Sequence, residues 1–413
     1  MFIELSPLFK YRDYRLLYLG QLVSFFGNML TYVALPYQIY SLTHSSLAVG
    51  NIGLAQLIPL LATALFGGAL ADRMDRRKLL LGSELGLSIA TGILLLNSLL
   101  PTPHVWLIYL TAMINAALVG FHRPSLESLT PKLVQHKDLP AVSGLTSFKK
   151  SLTKVAGPAL AGVMIATVGL PVVYFIDFLT FVISLLAIFF IKTRFTIQRS
   201  EESTTKSIKS GIRYAMSRQE LIGTYVVDII AMIFGMPMAL FPAIAETLGG
   251  VKVLGLLYAA PSAGMLMASI FSGWTHKVKR HGAAIAISAV LWGVSIAAFG
   301  FSSSIYMALI FLVFAGAADG FSVIFRQTLW NQTIPSHLRG RLAGLEIISY
   351  MTGPLLGNAE AGFVAAAVST TFSVVSGGVL CVFGVAASIF YLPKFWKYKA
   401  SSSTTTQDAI VAE

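Results

Sequence analysis

Cysteine is nearly absent. Cys381 stands alone among 413 residues, which excludes a disulfide framework and a cysteine-built zinc site. Charge is scarce too. Asp, Glu, Lys and Arg make up 12% of the chain, roughly half the share in ordinary globular domains, too little for a soluble globular protein or a disordered chain. There is no Gly-x4-Gly-Lys-Ser/Thr loop to cradle a nucleotide's phosphates, no His-Glu-x-x-His pair and no convincing nucleophile–base set. No cofactor, no metal and no enzymatic activity are therefore expected. A cleaved leader is not expected either, because Lys10, Arg12 and Arg15 precede an apolar run too long for a signal peptide's core.

What the chain has in abundance is apolar sequence: 55% of it is hydrophobic and the mean hydropathy is +0.74. A bilayer crossing takes about 20 apolar residues. Twelve runs meet that need, at 14–42, 47–71, 79–100, 104–130, 140–169, 171–192, 219–248, 251–275, 282–302, 304–334, 341–368 and 371–393. They are too long for barrel strands and show no period of two. Some exceed one bilayer thickness, so those helices are expected to tilt or protrude.

Thirty Lys and Arg against eighteen Asp and Glu give a formal charge of +12, which in a soluble protein would point to nucleic acid. Position gives a different cause. The basic residues gather at the N-terminus, in alternate loops (Arg73, Arg76, Arg77 and Lys78; Lys277, Lys279 and Arg280), in the centre (Lys192 to Arg218) and in the tail, while the other face carries Lys252. By the positive-inside rule both termini are cytoplasmic and the number of crossings is even. Nucleic acid is not an expected partner. The bilayer is.

The polar, basic stretch at 193–218 separates two groups of six runs. The expected units are therefore an N-terminal six-helix bundle (1–192), a cytoplasmic central loop (193–218), a C-terminal six-helix bundle (219–393) and a cytoplasmic tail (394–413). The halves also echo each other. Gly144-x8-Thr153-x3-Gly157-Pro158 in the fifth run matches Gly340-x8-Ser349-x3-Gly353-Pro354 in the eleventh, and Asn115 and Pro131 of the fourth fall on Asp319 and Pro335 of the tenth. Internal repeats of this kind are common in secondary transporters.

The loop between the second and third runs reads Gly68-Ala-Leu-Ala-Asp72-Arg73-Met-Asp75-Arg76-Arg77-Lys78. It resembles the signature loop of the major facilitator superfamily, departing from it where Asp75 replaces a glycine. The resemblance extends over nearly the whole chain and implies an all-α integral membrane protein with twelve helices in two pseudo-symmetric bundles. It also implies that Gly68, Asp72, Arg73, Arg76 and Arg77 form a cytoplasmic gate that latches one conformation; the same arginines can equally serve as topology anchors. Gly144, Gly157, Pro158 and Gly162 resemble the superfamily's antiporter motif, which marks exporters. Arg15-Leu-Leu-Tyr-Leu-Gly20-Gln21-Leu, Asn28, Ala34-Leu35-Pro36 and Ser46-Leu-Ala-Val-Gly50 resemble the branch that holds enterobactin exporters and macrolide efflux proteins. That branch often has Asp where Asn28 stands, so another acid must serve if protons drive transport.

Polar residues inside the runs suggest a pathway, because ionisable groups at membrane depth usually face a cavity or a partner. Gln21, Ser24, Asn28 and Tyr32 form one stripe at helical spacing, either lining a cavity or bonding a neighbouring helix. Lys150 and Lys154 share a face near mid-depth; they either bind an anion or snorkel to the interface. Asp319 and Arg326, seven apart, also share a face, and Arg326 could hold a substrate carboxylate or neutralise an acid. Arg123 and Glu127 have the spacing of a structural ion pair. Asp228 and Asp319 are the first candidates for carrying protons, followed by Asp177, Glu346 and Glu360; His122 is read as a packing residue. The resulting expectation is a monomeric transporter of the bacterial cytoplasmic membrane that exchanges protons for a small molecule, a siderophore or similar polar anion. The alternatives are efflux of an apolar drug leaning on Tyr32, Met232 and Met236, siderophore uptake, and a lipid flippase or non-transporting sensor.

Overall fold

A computed structural model describes residues 4–73, 75–193 and 213–399, the side chains of 64–73, 336–341 and 343–349 excepted. Gly68, Asp72, Arg73 and Glu346 are thus outside the described side chains, and most of the expected central loop and tail is outside the described residues.

The described chain is helical, with no strand. Ten helical stretches are long and apolar enough to cross a membrane. One of them, His136–Phe189, holds two crossings, because the helix Leu139–Phe189 is broken at Gly169. Gly169 has φ 82°, a backbone conformation that only glycine adopts cheaply, and Pro171 follows at once to start the next helix. Those eleven crossings and the 32-residue helix Ser336–Ala367, part of whose side chains lie outside the described ones, give twelve long helices: α1 (Arg12–Thr43), α2 (Ser46–Arg73), α3 (Arg76–Ser98), α4 (Val105–Leu129), α5 (139–168), α6 (170–189), α7 (Gln219–Phe234), α8 (Val251–Ile270), α9 (His281–Gly300), α10 (Ile305–Thr333), α11 (Ser336–Ala367) and α12 (Thr370–Tyr391).

Hydrogen bonds place both ends of each half on one face. Asp13 at the start of α1 accepts from the backbone N–H of Lys192 (3.1 Å) and Thr193 (2.9 Å), just past α6. Gln219 at the start of α7 accepts from the N–H of Lys394 (2.8 Å), just past α12. This basic face carries the clustered lysines and arginines; the opposite one is called the far face below. Asp75, the departure from the signature loop, has a local purpose. It is the N-cap of α3 and accepts from the N–H of Arg77 at 2.9 Å, satisfying an otherwise orphaned donor. Arg77 in turn donates to the carbonyl of Phe189 (2.6 Å), pinning α3 to the end of α6.

One expected helix is interrupted. The apolar run 219–248 is not continuous: α7 ends at Phe234, a single turn follows at Met238–Leu240, and a further helix spans Phe241–Leu248. Pro237 has no N–H to continue the α7 ladder, and the Trp292 indole packs so closely on Gly235 that no side chain fits there.

Within the N-terminal half α1 runs antiparallel to α6, joined by polar layers. Tyr174 donates to Gln38 (2.8 Å), Thr31 donates to Asp177 (2.5 Å), and Gln21 donates to Ser184 (3.0 Å). Side-chain hydrogen bonds of this kind hold helices together where lipid offers no hydrophobic drive. The halves meet backbone to backbone towards the far face. A Cβ at Gly162 of α5 would lie 2.7 Å from the Gly255 nitrogen of α8, and one at Gly50 of α2 would lie 2.7 Å from the Asn358 carbonyl of α11. Tyr40 of α1 also donates to Glu246 of Phe241–Leu248 at 3.1 Å.

Candidate functional site

Between the halves, in the part towards the far face, is a cavity of about 190 Å³. Its lining includes Asn28 and Tyr32 of α1, Gln56 of α2, Asn115 of α4, Tyr258 of α8 and Asn358 of α11. Both halves therefore contribute, and none of the lining residues is charged. Tyr32 and Tyr258 meet edge to face with ring centroids 5.4 Å apart, a favourable arrangement for their quadrupoles.

The break after α7 builds one wall. Its freed backbone groups are satisfied by side chains, as membrane burial demands. The N–H of Ala239 donates to Asn358 (2.9 Å), and the carbonyl of Met238 accepts from Tyr258 (2.9 Å). The Tyr32 hydroxyl donates to the Met238 sulfur (3.1 Å), joining α1 to this wall. The stripe seen in the sequence is thus divided. Asn28 and Tyr32 line the cavity, whereas Gln21 and Ser24 are only 4% exposed. Gln21 points at Glu84 of α3, to which it donates at 2.5 Å. It serves helix packing, because an acid on α3 lies beside it.

Towards the basic face from this cavity stands a charged layer. Lys150 and Lys154 of α5 are exposed although they sit well inside a crossing helix. Lys154 is within electrostatic reach of Asp319 on α10, of Lys150 and of Arg123 on α4; Lys150 is within reach of Arg123 and Glu127. Asp319 brings the Lys154 ammonium towards the other half, whereas the charged neighbours of Lys150 lie on α4 of its own half. Arg123 pairs with Glu127 at 3.2 Å and lies over the Tyr350 ring of α11 at 5.1 Å, so the expected structural pair also touches the other half.

Arg326 is bound more tightly than a free substrate ligand. Its Nη1 pairs with Asp228 of α7 and its Nη2 with Asp319 at 3.5 Å. Arg326 and Asp228 are 8% exposed and Asp319 is 18% exposed. The sequence placed Asp319 and Arg326 on one face; the structure adds Asp228 to them. Two carboxylates share one guanidinium, which neutralises one of them.

Gly144, Gly157, Pro158 and Gly162 divide by what they touch. A Cβ at Gly144 would meet nothing within 4 Å. Gly157 packs on Met29 of α1 inside its own half, and Gly353 of α11 packs in the same way on Met232 of α7. Pro158 and Gly162 face Gly255 across the halves. Of the secondary acids, Asp177 is fully buried against Thr31 and Thr180, and Glu360 is half-buried on α11.

Sequence reasoning missed four groups. Gln56, Asn115 and Asn358 are isolated amides with no local pattern, and Glu84 joins His122 only through the fold. No cluster of three or more His, Cys, Asp or Glu residues that could hold a metal occurs among the described residues.

Comparison with known proteins bears on this arrangement. The profile of the family described as "Transmembrane secretion effector" matches residues 3–413. Among curated relatives, the enterobactin exporter EntS of Citrobacter koseri is 28% identical over 389 residues, covering 93% of this chain and 92% of the relative. EntS of Shigella boydii serotype 18 is 26% identical over the same coverage of 93% and 92%. Among solved structures, a bacterial homologue of the human lysosomal transporter Spinster superposes with a TM-score of 0.75 at 13% identity, covering 95% of this chain and 99% of that one. A POT family transporter bound to 5-aminolevulinic acid gives 0.75 at 11% identity, covering 93% and 97%. The nucleoside transporter NupG gives 0.67 at 12% identity, covering 94% and 100%.

Proposed function

This chain belongs to the transmembrane secretion effector family, with the fold of the major facilitator superfamily, and from that premise we propose that it exports a siderophore or similar polar anion in exchange for protons. It is a multi-pass membrane transporter and not an enzyme. In the proposed placement it sits in the bacterial inner membrane with the basic face, and both termini, in the cytoplasm.

The observation that supports this reading best is the exposed pair Lys150 and Lys154, with Lys154 within reach of Asp319 in the other half. A cation at membrane depth is costly, and an exposed pair is eased by an anionic guest. The uncharged pocket beyond them, with Asn28, Asn115 and Asn358, offers hydrogen bonds to the neutral parts of that guest. The similarity to the enterobactin exporters of Citrobacter koseri and Shigella boydii favours a siderophore and outward transport. Alternating access rocks one half against the other around such a site. The state described here is closed towards the far face by Gly162 against Gly255 and Gly50 against Asn358. Proton entry supplies the drive: one charge crossing 100 mV provides about 2.3 kcal/mol, roughly a fortyfold gradient. Asp319, sharing Arg326 with Asp228 and facing Lys154, is the acid best placed to exchange a proton as substrate arrives.

Deleting the gene in its host and growing cells without iron tests the substrate. Chelator should fall outside the cells and rise inside, and the wild-type gene should reverse both; unchanged secretion contradicts the assignment. A second test addresses the site. Lys150→Gln with Lys154→Gln should lower enterobactin transport into vesicles by at least about tenfold, the loss of about 1.4 kcal/mol of binding. Normal transport at normal protein abundance rules the lysines out.

Efflux of an apolar compound is the second reading. Tyr32, Tyr258, Met29 and Met238 give the uncharged cavity an aromatic and sulfur-rich wall suited to such a guest. In that case the double glutamine variant keeps its activity and Tyr32→Ala loses it.

A further inference from the structure

The C-terminal half carries its buried charges on an arginine, which is never deprotonated in a protein. The N-terminal half puts something titratable in the corresponding place. In the register that sets Asn115 on Asp319, His122 of α4 falls on Arg326 of α10. Its Nε2 stands 2.9 Å from Oε1 of Glu84 on α3, an acid from a different helix than the two that hold Arg326.

Glu84 is fully buried. Its Oε1 also accepts from Gln21 Nε2 of α1 at 2.5 Å and from Ser184 Oγ of α6 at 3.0 Å. Its Oε2 is buried with no hydrogen-bond partner. An ionised carboxylate with an unsatisfied buried oxygen is costly without a counter-charge in contact. The group in ion-pair contact with it is His122, whose side chain is 16% exposed. Two other titratable groups face Glu84 from the elements packed around it. Lys149 of α5 is within electrostatic reach but lies 5.8 Å over the Tyr18 ring, and Asp177 of α6 is within reach while bonded to Thr31 and Thr180. Two acids against Lys149 leave one negative charge, and a proton on the Glu84–His122 pair cancels it.

We propose that Glu84 and His122 form a second proton-binding site, which takes up one proton when the transporter is open to the far face and releases it to the basic face when the transporter changes state. This rests on the proton-coupled reading above and adds a site in the N-terminal half to the acids of the C-terminal half. The imidazole or the carboxylate gains the proton; no other bond forms or breaks. The means of passing on the change is local. Pro124, two residues beyond His122, interrupts the hydrogen-bond ladder of α4. Between them Arg123 reaches over Tyr350 of the other half. A charge change at His122 thus acts at a soft point of the helix beside a contact between the halves.

The test uses the full-length protein in vesicles with enterobactin as the probe, comparing wild type, Glu84→Gln and His122→Gln. His122 is partly exposed, so its variant remains informative if the change at Glu84 impairs folding. In wild type, accumulation should rise with the pH gradient. In the variants that dependence should fall by about tenfold for each unit of pH difference, the share of one proton, while exchange of enterobactin without a gradient persists. Infrared titration of purified protein should show a proton-dependent band, of the carboxylic acid or of the imidazolium, that is lost in Glu84→Gln and in His122→Gln. A wild type that ignores the gradient overturns the proton-coupled reading itself. A wild type that responds, with both variants responding equally, overturns the assignment to Glu84 and His122.

Discussion

Leucine in place of Gly255 is expected to abolish net transport while leaving a folded protein in the membrane. The backbones of α5 and α8 touch at this point. A Cβ at Gly255 would lie 2.8 Å from the Gly162 nitrogen and closer still to the Pro158 carbonyl. Backbone atoms cannot swing aside as a side-chain tip can, so the halves must separate on the far side to admit a larger residue. Each half keeps its own packing, and folding should survive. The same leucine at Gly162 should act alike, because it meets the same atoms from the other side. Gly144 belongs to the same sequence motif, but a Cβ there would meet nothing within 4 Å; Gly144→Ala should keep transport within about twofold, under about 0.4 kcal/mol. Cysteine placed at Asn28, which lines the cavity, reports the cause. Impermeant maleimide should label it from the far face more readily in the Gly255→Leu background than in the parent. The buried native Cys381 should contribute little. Equal transport in Gly144→Ala and Gly255→Leu would contradict this assignment of the interface.

Replacing Arg326 is expected to give the largest loss of stability in the C-terminal half. Arg326 pairs with Asp228 and Asp319, all three being at most 18% exposed. Removing a partner from a buried ion pair typically costs about 3–5 kcal/mol, because a charge is left uncompensated. Arg326→Met should therefore lower the unfolding temperature in detergent more than either Asp228→Asn or Asp319→Asn. Adding both asparagines to Arg326→Met should recover most of the loss, since no buried charge then remains. The triple variant should fold and should lose the part of the proton coupling that the C-terminal acids carry. An Arg326→Met protein as stable as wild type would show that the guanidinium does not hold the two carboxylates in solution.

Much of the architecture was legible from residues close together in sequence. The crossings could be counted because each is a run of apolar residues longer than about 20. Gly169 and Pro171 mark the boundary between α5 and α6 by their own backbone chemistry. The face shared by Asp319 and Arg326 follows from a spacing of seven on one helix. What stayed hidden depends on contacts between helices. Glu84 and His122 are 38 residues apart, and neither carries a local sign of the other. Gln21 looked like a cavity residue because its partners, Glu84 and Ser184, come from α3 and α6. The break after Phe234 hid inside an apolar run, since Met238 to Leu248 is nearly as hydrophobic as α7 itself. Gln56 and Asn358 become parts of a site only when the two halves close over them.

The most direct measurement is enterobactin movement in everted membrane vesicles containing this chain, with the interior made acidic. The expected result is accumulation inside the vesicles that collapses when a protonophore removes the gradient and that is lost in Lys150→Gln with Lys154→Gln. No accumulation at normal protein abundance, or accumulation indifferent to the protonophore, would contradict proton-driven export of the anion.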